Sequence, residues 1–128
     1  MTLSSEKKFV AQEWCHVALV TTNDVINESS LYINGKIDSQ ICYAGSLDQN
    51  NGNLYMGKTP WSTGFTGDLS DALFFFYALS TDEVSTLYSE DKANYSRKGE
   101  FMSATHRKSL SQVKGKSTSS ITLSLIKD

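Results

Sequence analysis

The apolar and polar positions of the chain alternate in short runs, which predicts β-strands more than helices. Residues 13–22 are rich in β-branched and aromatic side chains, the composition favoured in strands. One face of this strand carries Trp14, His16, Ala18 and Val20. The opposite face is also fairly apolar, and a strand with two apolar faces is typical of the inside of a layered sheet.

A hairpin is predicted next along the chain. Residues 23–30 form a polar loop, and residues 30–33 form a short second strand. Asn34 and Gly35 both tolerate positive φ, so this pair is a strong signal for a tight turn. Residues 36–43 alternate again, which predicts the returning strand of the hairpin.

Three further segments complete the predicted body. Residues 48–53 form a polar loop, residues 54–57 a short strand, and residues 58–64 a loop that contains the only proline, Pro60. The last strong strand is predicted over residues 67–78.

A short helix is predicted after this strand. Ser80 followed three residues later by Glu83 is the pattern of a capping box. An apolar stripe at helical spacing is formed by Val84, Leu87 and Tyr88. These features predict about two helical turns over residues 81–90.

Three regions follow from this pattern. Residues 1–91 form the sandwich, and residues 92–120 form a flexible basic linker with too little apolar surface to fold. Residues 121–128 alternate, which is typical either of an extra strand or of an apolar disordered end.

Four blocks of sequence, in order over residues 13–90, resemble laminin-G-like domains of the concanavalin A-like lectin/glucanase superfamily. The blocks are Trp14-x-His16-Val17-Ala18, Leu31-Tyr-Ile-Asn-Gly-Lys36, Leu54-Tyr-Met-Gly57, and Phe65 to Ser80 with Leu87-Tyr88 after it. The resemblance implies an all-β fold, an antiparallel β-sandwich of the jelly-roll type. Proteins of this family are extracellular or cell-surface lectins and adhesion modules, although residues 1–14 lack the apolar stretch of a secretory signal.

The family's opening strands have no counterpart here, which implies an incomplete sandwich with an exposed edge beside residues 67–78. The chain is therefore expected to be truncated, to be completed by a larger chain or complex, or to fill the vacancy with its own Ile121–Leu125 segment. An uncovered Leu73–Phe76 segment would be prone to aggregation.

The charge is divided unevenly between the body and the C-terminal region. Residues 1–88 carry a net charge of −6 and residues 89–128 carry +4. Nucleic-acid binding by the body is not expected, because phosphate contacts need clustered Lys and Arg. The basic region suits a solvated linker better than an acidic partner or a membrane surface. No apolar run is long enough for a transmembrane helix, and Cys15 and Cys42 allow either one disulfide or two free thiols.

The candidate binding residues lie in loops. An exposed ring can stack on a sugar or anchor a protein contact, and the candidates are Trp61, Tyr43, Asn50 and Asn51. Oxygen donors suited to Ca²⁺ are offered by Asp48, Asn50 and Asn53, although their spacing matches no defined calcium loop. The neighbouring Trp14 and His16 fit a structural role on the core face better than a ligand site.

These residues favour a non-catalytic recognition module that binds a glycan or a protein through loops at the rim of the sandwich. One alternative is a structural element that docks into a larger assembly through its open sheet edge. Another is a remnant of a glycoside hydrolase with Asp68 and Asp71 as its acids. The catalytic string Glu-x-Asp-x-x-Glu of such enzymes does not occur in the chain, so we expect no enzymatic activity.

Overall fold

The structure is a computed structural model that describes residues 3–23, 26–45, 51–96 and 119–127. Five strands and one helix occur in these ranges. They are β1 (Trp14–Asn23), β2 (Asn27–Ile33), β3 (Lys36–Tyr43), β4 (Gly67–Phe75), α1 (Thr81–Ser96) and β5 (Ser119–Lys127). The predicted all-β, antiparallel class with one helix near the C-terminal end of the body is confirmed.

The five strands form one antiparallel sheet in the order β3-β2-β1-β5-β4. Strand β5 therefore lies in the interior of the sheet, between β1 and β4. It pairs with β1 over Trp14–Thr21 and with β4 over Gly67–Phe75. The C-terminal segment of the chain thus supplies the neighbour that β4 otherwise lacks, and β3 and β4 become the two edges of the described sheet.

The Asn34-Gly35 turn joins β2 to β3 as predicted. Both residues have positive φ, 51° and 76°. The side chain of Asn34 accepts a hydrogen bond from the backbone N–H of His16 at 2.9 Å, and its own N–H donates to the carbonyl of His16 at 2.8 Å. The turn is therefore fastened to β1 and fixes the register of the hairpin.

The core lies on the face of the sheet that helix α1 covers. Its buried members are Ala18, Val20, Tyr32, Phe75, Tyr77, Leu79, Val84 and Leu87. In place of a second stacked sheet, α1 and the segment before it close this face within the described residues. The fold is an incomplete β-sandwich, and within the described residues the cover of its five-stranded sheet is largely helical.

The opposite face of the sheet is less well covered. Leu19 of β1 and Phe74 of β4 are both exposed. The register pairs both residues with Ile121 of β5, which places them on the same face of the sheet. Residues 4–7 bond to the β3 edge, where the Asp38 carboxylate accepts from the N–H groups of Glu6 and Lys7.

Three predicted boundaries are wrong. Strand β2 begins at Asn27 and not at residue 30, because polar cross-strand pairs extend the ladder, among them a 3.1 Å hydrogen bond between Thr21 and Ser29. Strand β4 ends at Phe75 because the chain bends at residues 76–77 and sends Tyr77 into the core. Helix α1 continues to Ser96, six residues past the predicted end, since the sequence there has no glycine or proline to stop it.

The predicted strand over residues 54–57 is also wrong. These residues are exposed and form no strand, because no neighbouring strand in the described part of the chain pairs with them. A run of apolar residues alone does not make a strand, since the backbone groups of a strand need a hydrogen-bonded neighbour.

Candidate functional site

The segment of residues 51–66, which we name the Trp61 segment, carries four large exposed apolar side chains, those of Leu54, Tyr55, Met56 and Trp61. Its legs are held together at the base, where the N–H of Phe65 donates to the carbonyl of Gly57 at 2.5 Å. Gly57 has a φ of 75°, and a Cβ there would lie 2.8 Å from Cδ1 of Leu69. The base therefore packs closely against β4, and glycine is required at this position.

The tip of the segment is a hydrogen-bonded turn over Thr59–Ser62. The N–H of Ser62 donates to the carbonyl of Thr59, and the Ser62 hydroxyl accepts from the N–H and from the hydroxyl of Thr59. Pro60 fixes its own φ, which suits the second position of such a turn. Four bonded residues with one proline present a fixed backbone to solvent.

Trp61 lies on this turn, and its side chain is 87% exposed. The backbone N–H of Trp61 donates a hydrogen bond to the Thr59 hydroxyl. Leu54 of the same segment is 64% exposed, and Tyr55 and Met56 are exposed as well. A solvent-facing indole on an ordered turn offers a flat apolar face with a donor at one edge, which suits stacking or insertion into a partner. That Trp61 binds a ligand stays a prediction, and the structure places its side chain in solvent.

The other predicted loop residues are only partly described. Asn51 and Asn53 belong to the Trp61 segment and are exposed. Asp48 and Asn50 lie outside the described residues. No group of three or more His, Cys, Asp or Glu side chains suited to a metal occurs among the described residues. Calcium binding by Asp48, Asn50 and Asn53 stays a prediction.

Tyr43 lies at the opposite corner of the sheet from the start of β4. It ends β3, which is one edge strand, and pairs with Asn27, whereas Gly67 begins the other edge strand at the other end. Tyr43 is half-buried, unlike Trp61. Since the base of the Trp61 segment packs near the start of β4, Tyr43 does not join that surface.

His16 and Asp91 form a buried pair under helix α1. Their side chains are 2% and 6% exposed, and Nε2 of His16 lies 3.8 Å from Oδ2 of Asp91. The ring of Tyr88 lies 6.1 Å from the imidazole, and the amine of Lys92 lies 6.0 Å above the Tyr88 ring. The surroundings support the structural interpretation of His16, because the pair joins β1 to the helix inside the core.

The two cysteines are free thiols, which resolves the alternatives left open above. Cys15 is buried and Cys42 is exposed. The pKa of the Cys15 thiol is raised to about 11, chiefly by burial; Lys7 lowers it and Asp38 raises it by smaller amounts. Cys15 lines a small cavity of about 150 Å³ under residues 7–10, so it packs as an apolar residue and not as a nucleophile.

The carboxylates proposed for glycoside cleavage lie on β4. Asp68 is exposed, and Asp71 has a positive φ of 56° at an irregularity where the pairing with β5 shifts register. The hydroxyl of Ser70 donates to Asp71 at 3.2 Å. A residue at a bulge that bonds its neighbour fits a role in shaping the strand.

Sequence reasoning missed the exposure of residues 54–56. Their short apolar run resembles that of a buried strand, but among the described residues no strand pairs with them, and they lie in solvent. The available signal was the polar, proline-containing loop directly after them, which marks the end of regular structure.

A comparison with known proteins identifies the family. The sequence profile of the Concanavalin A-like lectin/glucanases superfamily, in its laminin-G-like form, matches residues 1–85. No curated protein and no solved structure matches the chain in the same comparison. Among the described residues, no helix has the length and apolar character needed to cross a membrane. The profile covers well over half of the chain, and the chain belongs to the concanavalin A-like lectin/glucanase superfamily as a laminin-G-like domain.

Proposed function

We propose that the chain is a non-catalytic recognition module that binds a carbohydrate or a protein partner through the Trp61 segment. The observation that carries this proposal is the 87% exposure of Trp61 on a turn whose backbone is held by its own hydrogen bonds. Large aromatic side chains are usually buried, and one presented to solvent by an ordered loop is typical of a binding surface.

The family supports the coarse form of this function. Superfamily members recognise carbohydrates or proteins, and laminin-G-like domains are generally non-catalytic. The exposed amides of Asn51 and Asn53 on the same segment add donors and acceptors for a polar ligand.

The test is binding by the full chain to a glycan array and to candidate proteins, with and without Ca²⁺. We expect Trp61→Ala to abolish the signal while the fold persists, because the indole makes few contacts within the chain. The matched control is Phe76→Ala, since Phe76 is also 87% exposed but lies past the opposite end of β4. Equal binding by wild type and Trp61→Ala would contradict the proposal.

A second candidate function, assembly through an open sheet edge, is favoured by β4. Within the described residues β4 is one of the two edge strands, and its C-terminal half is uncharged from Ala72 to Phe75, with Phe76 exposed beyond it. Such an edge can accept an added strand. Light scattering coupled to size-exclusion chromatography tests this function, with association expected for wild type and lost in Phe74→Lys, and a monomeric wild type would exclude self-association.

A further inference from the structure

We propose that the ligand of the Trp61 segment is a polypeptide that offers an apolar pocket with an acidic rim, and not a glycan. This inference rests on the proposed function, because it names the partner of the same site. Its basis is the combination of exposed aliphatic side chains, satisfied hydroxyls and local charge in residues 51–66.

The apolar surface of the segment extends beyond the indole. Leu54, Tyr55 and Met56 precede the loop and are 64%, 44% and 48% exposed. Contiguous exposed apolar side chains of this kind mark contact sites for other macromolecules. Aromatic residues and Met are enriched at the centres of protein interfaces. An aliphatic approach beside the Trp adds contact area for a protein side chain, whereas a sugar's hydroxyl groups gain nothing from it.

The polar groups beside Trp61 are already engaged within the turn. The hydroxyls of Thr59 and Ser62 are 3.1 Å apart and also accept the N–H groups of Trp61 and Thr59. Selective binding of a glycan needs several polar groups that converge on it to fix its orientation. Both hydroxyls accept bonds within the turn, and the exposed amides of Asn51 and Asn53 lie outside it, so the main contact that the tip itself offers is the apolar face of the indole.

The charge of the Trp61 segment indicates a negatively charged rim around the binding pocket of the partner. Lys58 is the only charged residue between Asn51 and Thr66, whereas residues 1–88 as a whole carry −6. A carboxylate on the partner would meet one cation and no local anion at the tip. Complementary charge at an interface rim mainly raises association rate and selectivity.

The shape of the segment assigns the pocket to the partner. The chain narrows to a turn, and the indole projects from it with most of its surface in water. A projecting aromatic anchor is complementary to a concave apolar site, and such anchors contribute much of the binding energy in protein interfaces.

The experiment uses a phage library of disulfide-cyclised random peptides, which can enclose a projecting side chain, selected against the full chain alone with no counter-selection. The selected peptides are then synthesised, and their affinity for each variant is measured by fluorescence anisotropy. We expect them to combine apolar and acidic residues. Trp61→Ala should weaken binding by about 30-fold or more, the range of an anchoring residue.

Matched variants separate the contributions. The double variant Leu54→Ser, Met56→Ser should weaken binding by roughly 10-fold, which follows from the apolar area removed. Lys58→Glu should slow association and reverse the effect of salt, because salt then screens a repulsion and no longer an attraction. Phe76→Ala, an equally exposed aromatic outside the segment, should bind the peptides like wild type.

The same proteins are applied to a glycan array and to sedimenting phosphatidylcholine vesicles. Binding to glycans that depends on Trp61, with no peptide selected, would overturn the inference and leave the proposed function standing. Binding to vesicles that depends on Trp61, with no selected peptide, would assign a membrane surface and overturn the inference. Loss of neither peptide nor glycan binding in Trp61→Ala would overturn both.

Discussion

Helix α1 and the Trp61 segment both flank the sheet and both carry large apolar side chains, but they place them in opposite environments. Val84 and Leu87 of the helix are 0% and 1% exposed, whereas Trp61 and Leu54 are 87% and 64% exposed. The helix is tied to the sheet through side chains on several strands, and the segment is tied mainly to itself. The difference separates a region that holds the fold from a region that is free to meet a partner.

The attachment of the helix explains why so few changes there should be tolerated. Ser85 donates a hydrogen bond to the carbonyl of Gly35 at 2.9 Å, and the phenol of Tyr32 bonds to Thr81 at 3.1 Å. Burial of apolar side chains supplies most of the free energy, and these polar links fix the helix in one position. Substitutions in this region should therefore reduce stability first, whereas substitutions of the exposed side chains of the Trp61 segment should reduce binding alone.

The largest expected effect comes from the buried pair beneath the helix. Asp91→Ala leaves the His16 imidazole buried without its carboxylate, and breaking such a pair costs about 3 kcal/mol. Chemical denaturation gives the free energy of unfolding. Ser89→Ala, an exposed change on the same helix, is the control and should alter it little. A loss below about 1 kcal/mol in Asp91→Ala would show that the pair does not anchor the helix.

Gly35→Ala should rank next, at about 2 kcal/mol. Its φ of 76° is unfavourable for alanine, and the added Cβ would lie 3.0 Å from Cδ1 of Tyr88 and 3.3 Å from Cα of Ser85. Gly45→Ala is the matched control, because its φ is 97° and nothing lies within 4 Å of its Cβ position. If the free energy of unfolding falls equally in the two variants, close packing of the helix against the turn does not contribute to the loss.

The capping box at the start of α1 should contribute less. The N–H of Ser80 donates to the Glu83 carboxylate at 2.7 Å, and the N–H of Glu83 donates to the Ser80 hydroxyl at 3.2 Å. Ser80→Ala removes one of these reciprocal bonds and should cost about 1 kcal/mol. Thermal unfolding followed by circular dichroism measures the change, and an unaltered melting temperature would argue against the cap.

Alkylation of the two thiols should have the smallest effect on the fold. Iodoacetamide at neutral pH should modify Cys42 quickly without a change in stability, because that side chain is exposed. Cys15 should react only upon unfolding. Because its pKa is raised from 9.0 to about 11, the folded state retains the proton longer, and stability should fall as pH rises through this range. Mass spectrometry that finds both thiols modified at equal rates would contradict the burial of Cys15.

Local sequence signals predicted the elements that are set by local chemistry. The Asn34-Gly35 turn follows from two residues that accept positive φ, and the helix start follows from Ser80 and Glu83. Strand β3 was predicted with its observed boundaries, because its apolar and polar residues alternate from the Asn34-Gly35 turn to Tyr43. These features depend on neighbours within a few residues.

Features that depend on distant neighbours were predicted less well. Residues 54–57 are apolar like a strand but have no pairing partner among the described residues, whereas the polar residues at the start of β2 pair with β1. The position of β5 between β1 and β4 depends on pairing across the whole chain, and the sequence indicated it only as one of several alternatives. For the site, the candidate Trp61 was found from its loop, but its apolar neighbours were assigned to a strand.

Fluorescence quenching in a Trp14→Phe variant tests the contrast between the two regions most directly, since Trp61 is then the sole tryptophan. The structure predicts red-shifted emission from Trp61 and quenching by acrylamide nearly as efficient as for free tryptophan. Both should be observed under conditions where the far-ultraviolet circular dichroism spectrum shows that the chain is folded. Blue-shifted emission with strong protection from acrylamide would place the indole inside the fold and remove it from the recognition surface.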